Sequence, residues 1–210
     1  MNPSVRVAAS ALVVVALSSA AQSPDANAPA PLPRVDPARE LRGRALVESL
    51  RRGGFVLFLR HADQGEMPQS PDCAVPQLTA KGVEQAKRLG DAIRRAAIPV
   101  GAVRSSPLCR ALQTARGLAA GEVDLAPGLA PSVEPAVVAA RLRLFAERPP
   151  AGANTILVSH VQGGTNRGEA IFIEKAGIVV FRPDGNGGAE PVARVPLEAW
   201  DALLPEASAR

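Results

Sequence analysis

Apolar residues arrive along this chain in two rhythms. Short runs such as FVLFL at 55–59 and NTILVS at 154–159 lack a polar alternation, the pattern of strands covered on both faces. Between them, apolar positions recur every three to four residues, as in amphipathic helices. Asp36-Pro37 reads as an N-cap followed by proline at the first helical position, opening ARELRGRALVESLRR up to Gly53-Gly54. Thr79 caps a helix over 80–97, VGAVRSS (100–106) is a strand, and Ser106-Pro107 opens the helix LCRALQTARGLAA. A short strand is expected around Val123–Leu125 and a helix from Glu134 to Glu147. Strands near 170–173, 177–182 and 191–195 follow 154–159, with a turn at Asp184-Gly185 and a short helix around Trp200. Strands alternating with helices give an α/β class with a largely parallel sheet and an antiparallel edge at the C-terminal end.

The N-terminus departs from these rhythms. Arg6 precedes an uncharged stretch of about eleven residues, Val7–Leu17, and Ser18-Ser19-Ala20-Ala21 offers small side chains for cleavage. Residues 1–21 therefore read as an export signal, since the apolar run falls short of the ~20 residues a membrane span takes. Residues 22–37 carry prolines at 24, 29, 31, 33 and 37 and read as a linker. The folded domain is expected over 38–205, in a periplasmic or secreted protein that keeps no stable membrane anchor once its signal is cleaved. Its oligomeric state is left open by the sequence.

Composition narrows the function. Of 24 basic residues only Lys81, Lys87 and Lys175 are lysines, so the cationic groups are overwhelmingly guanidinium forks suited to phosphate and carboxylate. A net charge of +4, no basic run and no tyrosine argue against a nucleic-acid partner. With two histidines, two cysteines and neither a C-x-x-C nor an H-x-x-x-H spacing, no metal site is expected.

Both histidines fall in one context. His61 follows FVLFLR and His160 follows NTILVS, each at the carboxyl end of an apolar strand, where open α/β sheets bind ligands. Arg60 precedes His61, Arg104 ends the next strand, and Arg110 sits near the start of the helix after Ser106-Pro107. A helix N-terminus favours an anion. Two histidines and two or three arginines at one sheet edge suit a phosphate group.

These residues carry a family resemblance. LRHAD (59–63), QLTAKGVEQAKRLG (77–90), RSSPLCRALQTA (104–115) and ILVSH (156–160) resemble, in order and spacing, the motifs of the histidine phosphatase superfamily, which includes the cofactor-dependent phosphoglycerate mutases. The likeness spans about residues 52–182, and small exported bacterial members also share a cysteine in the first loop, a cysteine before the helix arginine and a terminal FRPDG, here 181–185. Ala62 stands where the family usually has glycine. Val161 stands where the phytase-like branch has aspartate, which argues against that branch.

The resemblance implies a three-layer α/β/α sandwich and a metal-independent phosphomonoesterase without cofactor. His61 would be the nucleophile, forming a phosphohistidine, with Arg60, Arg110 and His160 holding the phosphoryl oxygens. Glu134 is the proton donor by position, equally an acid placed at a helix N-terminus, with Asp63 and Glu169 as alternatives. Similar exported proteins suggest a small-molecule or glycan phosphoester as substrate, such as a phosphorylated envelope sugar. A non-catalytic phosphate- or glycan-phosphate-binding module on the same fold is the alternative. In an exported chain, Cys73 and Cys109 are expected to form a disulfide, closing a loop whose restriction contributes roughly 3–4 kcal/mol.

Overall fold

A computed structural model describes residues 35–66, 70, 72–160 and 173–203. The expected export signal, nearly all of the linker, Val161, Glu169 and the strand near 170–173, save Ile173, lie outside these residues.

The elements run α1 (Gly43–Arg52), β1 (Val56–Arg60), α2 (Ala80–Arg95), β2 (Val100–Ser105), α3 (Cys109–Gly117), β3 (Val123–Leu125), α4 (Pro135–Ala146), β4 (Asn154–Ser159), β5 (Ile178–Pro183), β6 (Ala189–Val195) and α5 (Trp200–Leu203). The strands form one sheet in the order β3-β2-β4-β1-β5-β6. The first four are mutually parallel, while β5 runs antiparallel to β1 and β6 antiparallel to β5. The mostly parallel sheet with an antiparallel edge is thus as the sequence pattern predicts.

Both faces of the sheet are covered because its central strands are apolar on both. Leu57 and Leu59 of β1, Ile156 and Val158 of β4, and Ile178 and Val180 of β5 share a core with Leu46 and Leu50 of α1, Leu89 and Ile93 of α2, and Trp200. The alternate residues, Val56, Phe58, Leu157, Val179 and Phe181, pack with Leu129 and with Phe145 of α4. This alternation gives three layers, α/β/α. No helix among the described residues is long and apolar enough to cross a membrane.

Two helix starts differ from the sequence reading. Asp36 and Pro37 begin a turn instead of α1: the Asp36 carboxylate accepts the Ala38 N–H at 2.9 Å. Leu41 N–H then bonds the Val192 carbonyl of β6 at 2.8 Å, and Gly43 takes φ +50°. That tertiary bond and the left-handed glycine delay the helix to Gly43 despite a good local cap. Likewise α3 starts at Cys109 with Leu108 as N-cap, because the backbone of Ser106 still belongs to the sheet edge, donating to the Val158 carbonyl at 2.9 Å. Thr79 does cap α2, accepting from Gly82 N–H at 3.0 Å. Gly82 also lets α2 approach β1's outgoing loop, since a Cβ there would lie 1.9 Å from the Asp63 carbonyl oxygen.

Candidate active site

Strand register brings the two histidines together. In the parallel pair β1–β4, Arg60 stands opposite Ser159, so the next residues, His61 and His160, leave the sheet side by side. His61 N–H donates to the Ser159 carbonyl at 2.9 Å, and the ring centroids lie 5.1 Å apart. On the other side of β4, Ser105 of β2 pairs with Val158, which delivers Ser106 and the start of α3 to the same edge. Residues distant in sequence thus converge at the carboxyl ends of three neighbouring strands.

Hydrogen bonds fix the rings. The His61 Nδ1 lies 2.8 Å from the Ala62 carbonyl oxygen. A carbonyl only accepts, so Nδ1 carries the hydrogen and the lone pair of neutral His61 sits on Nε2. The following backbone is held too: Ala62 N–H donates to Thr114 Oγ1 at 3.0 Å, whose hydroxyl donates to the Arg110 carbonyl at 2.7 Å. Loop and helix are thereby coupled. His160 Nε2 lies 2.9 Å from Ser106 Oγ.

Arg60 donates from Nη1 to the Ile173 carbonyl at 3.0 Å, while its buried Nε has no partner among the described residues. Arg110, second residue of α3, is partly buried, and desolvation lowers the pKa of both guanidinium groups. Burial, aided by Arg110, Arg60 and Lys175, pushes His61 down to about 4 against the opposing pull of the Ala62 carbonyl. Burial, then the charges of Arg110, His61, Arg141 and Arg60, pushes His160 down to about 3. Both rings are neutral at neutral pH, so His61 Nε2 is available as a nucleophile.

These shifts also set a stability window. The unfolded chain takes up both protons near pH 6.5, the folded chain only near pH 4 and pH 3. The unfolded state binds more protons between these values, so stability falls as pH drops through that window. Thermal unfolding should show the melting temperature decreasing from about pH 7 to about pH 5, where carboxylates stay ionised. The decrease should be shallower in a His61→Gln/His160→Gln double variant; an equal slope would refute the shifts.

The acids are placed differently from one another. Both Asp63 oxygens are engaged, one by Lys175 Nζ at 2.7 Å and one by the Thr79 hydroxyl at 2.8 Å. Lys175 and Thr79 hold this carboxyl below the usual range, and through them Asp63 ties β1's outgoing loop to Lys175 and to the cap of α2. Glu134 is the exposed N-cap of α4, and its carboxylate makes no hydrogen bond or ion pair among the described residues. Glu169 lies outside the described residues.

Arg104 points its fork at Glu147, with bonds of 2.5 and 2.6 Å, and so braces β2 against the end of α4. Cys73 and Cys109 form a disulfide with Cα atoms 4.8 Å apart. Beside it, Gln113 Nε2 donates to the carbonyls of Cys73 and Val75 while its Oε1 accepts from Gln77 N–H. Together they fasten the first loop to α3. Among the described residues no three His, Cys, Asp or Glu side chains group as metal ligands.

Two participants escaped the sequence reading. Ser106 was legible only as a helix opener. Arg141, on α4, is 3% exposed and donates to the carbonyls of Gly128, Ala130 and Ser132. It pins the loop that Ser159 also holds, through Oγ to the Leu129 carbonyl at 2.6 Å. Buried arginine at a helix position is unusual, and no sequence signal separated it from Arg143.

Sheet order, covered faces and paired histidines at the strand ends define a three-layer α/β protein with its candidate site at the carboxyl ends of the parallel strands. Residues 56–130 match the model of the histidine phosphatase superfamily, branch 1. Among solved structures, the protein histidine phosphatase SixA complexed with tungstate aligns with a TM-score of 0.53 and 18% identity, over 68% of this chain and 97% of that one. The protein assigned as phosphohistidine phosphatase SixA of Agrobacterium tumefaciens aligns with a TM-score of 0.50 and 15% identity, over 69% and 98%. No curated protein matches the sequence.

Proposed function

We propose that the chain is a metal-independent phosphomonoesterase working through phospho-His61. The observation that carries this reading is the neutral His61, with its lone pair on Nε2, beside a second neutral histidine and within the field of Arg60 and Arg110. In the first step Nε2 attacks phosphorus, the N–P bond forms, the ester P–O bond breaks, and the leaving oxygen takes a proton. In the second, water attacks phosphorus, the N–P bond breaks and phosphate departs. Arg60, Arg110 and His160 stabilise charge on the equatorial oxygens during both transfers. Glu134 is the proposed proton donor for poor leaving groups, which require protonation most.

The N-terminal pattern of residues 1–21 supports an extracytoplasmic phosphoester as substrate, with phosphorylated envelope sugars the class to screen first and protein phosphohistidine disfavoured by export. The test is release of p-nitrophenol from p-nitrophenyl phosphate in excess EDTA. Turnover undiminished by the chelator is expected. Absence of turnover, with inorganic phosphate still bound, would instead make the chain a phosphate-binding module, a reading favoured by a Glu134 carboxylate that makes no hydrogen bond or ion pair among the described residues.

A further inference from the structure

Ser106 is fully buried at the end of β2, with its backbone N–H fixed to the Val158 carbonyl at 2.9 Å. Among the described residues its hydroxyl has two hydrogen-bond neighbours: it accepts the Leu108 N–H at 3.3 Å, and it lies 2.9 Å from His160 Nε2. A serine hydroxyl has one hydrogen to donate and two lone pairs to accept with. With Leu108 on a lone pair, the hydroxyl hydrogen needs an acceptor, and buried polar hydrogens are rarely left without one. Among the described residues, His160 Nε2 is the group positioned to take it. Were Nε2 itself protonated, two hydrogens would face each other along the 2.9 Å axis or the hydroxyl hydrogen would go unbonded.

We infer that Ser106 is a positioning residue: it donates to His160 Nε2 and so fixes the neutral ring in the tautomer protonated at Nδ1. The ring then offers Nδ1–H as its one hydrogen-bond donor. For the phosphatase reading, on which only this last step rests, that Nδ1–H is the group His160 presents to a phosphoryl oxygen. The two histidines consequently share a tautomer but divide the work. His61 spends its Nδ1–H on the Ala62 carbonyl and has its lone pair on Nε2, whereas His160 spends its lone pair on the Ser106 hydroxyl and carries its hydrogen on Nδ1. The Ser-Pro pair is thereby explained otherwise than as a helix cap: α3 begins at Cys109, leaving the Ser106 hydroxyl for the histidine.

The experiment is a two-bond proton–nitrogen correlation spectrum of the 15N-labelled protein at neutral pH. It contains only two imidazole rings, because the sequence has two histidines, and His61→Ala assigns them. The wild-type His160 should show a protonated Nδ1 and an unprotonated Nε2. Ser106→Ala should convert it to the Nε2-protonated form or a mixture, and should lower kcat about tenfold, the scale of one misplaced hydrogen bond, with KM changing less. Ser106→Thr, which keeps the hydroxyl, should restore the wild-type tautomer. A wild-type His160 protonated at Nε2, or an unchanged tautomer in Ser106→Ala, overturns the inference. The wild-type spectrum decides even if Ser106→Ala fails to fold, and it decides equally if the protein turns over no phosphoester, a result that would overturn the phosphatase reading alone.

Discussion

Replacing His61 by alanine is expected to lower kcat for p-nitrophenyl phosphate by at least about 10³, because loss of a covalent nucleophile leaves only binding and electrostatics to assist water. p-Nitrophenolate is a good leaving group, so the assay reads attack on phosphorus and not proton donation. The structure leaves few substitutes. His160 has its Nε2 beside the Ser106 hydroxyl, and both cysteines are tied in a disulfide, so neither thiolate is on hand. The variant should fold, since His61 contributes one side-chain bond to its neighbouring carbonyl and its removal also deletes a group whose burial disfavours its charged form. Steady-state kinetics beside a thermal unfolding curve make the check. A folded His61→Ala variant retaining more than a tenth of kcat would remove phospho-His61 from the proposed mechanism.

How much of this was legible in the sequence depends on how local the determining physics is. The strands at 55–59 and 154–159 announced themselves because a strand buried on both faces must be apolar throughout. That same fact put His61 and His160 at strand ends. What sequence could not supply was that β1 and β4 are neighbours, or that Arg60 and Ser159 share a register, since pairing is decided by packing of the whole sheet. Thr79 was read correctly because capping is a four-residue interaction. Asp36 carried an equally good local signal and lost to a bond between Leu41 and Val192, some 150 residues away by subtraction of their numbers. Asp63 looked like any acid beside a candidate nucleophile until Lys175 and Thr79 occupied it. Arg141 was opaque for a different reason: helical spacing shows which face is apolar, but not that a guanidinium will be buried to hold three carbonyls of the loop just before its own helix.

The arginines should separate under the mildest substitution, because charge and fork are distinct assets. Arg110→Lys keeps a cation at the start of α3 but loses the planar pair of donors that matches two phosphoryl oxygens. Removing a positioned donor to transition-state charge typically costs roughly 10²–10³ in kcat, and a lysine recovers part of it through its charge. At least a tenfold fall in kcat is therefore expected, with KM moving less if the contact strengthens in the transition state. Arg104→Lys is the control at nearly the same point in sequence. Its guanidinium is spent on Glu147 in a two-bond contact, with the Glu147 side chain 51% exposed. Such pairs contribute on the order of 1 kcal/mol or less, and a lysine can keep one of the two bonds. Activity should therefore drop less than tenfold, with a small decrease in melting temperature as the main effect. The Arg104–Glu147 bridge also accounts for the direction of both groups' shifts: the partner carboxylate raises Arg104, and the guanidinium lowers Glu147. Arg60 and Arg110 instead shift downward through desolvation, as the buried Arg141 does. Kinetics on the two lysine variants, each verified as folded, decide the matter. A greater loss in Arg104→Lys than in Arg110→Lys would mean that the third motif is registered wrongly on the pocket, and the role given to the start of α3 would fall with it.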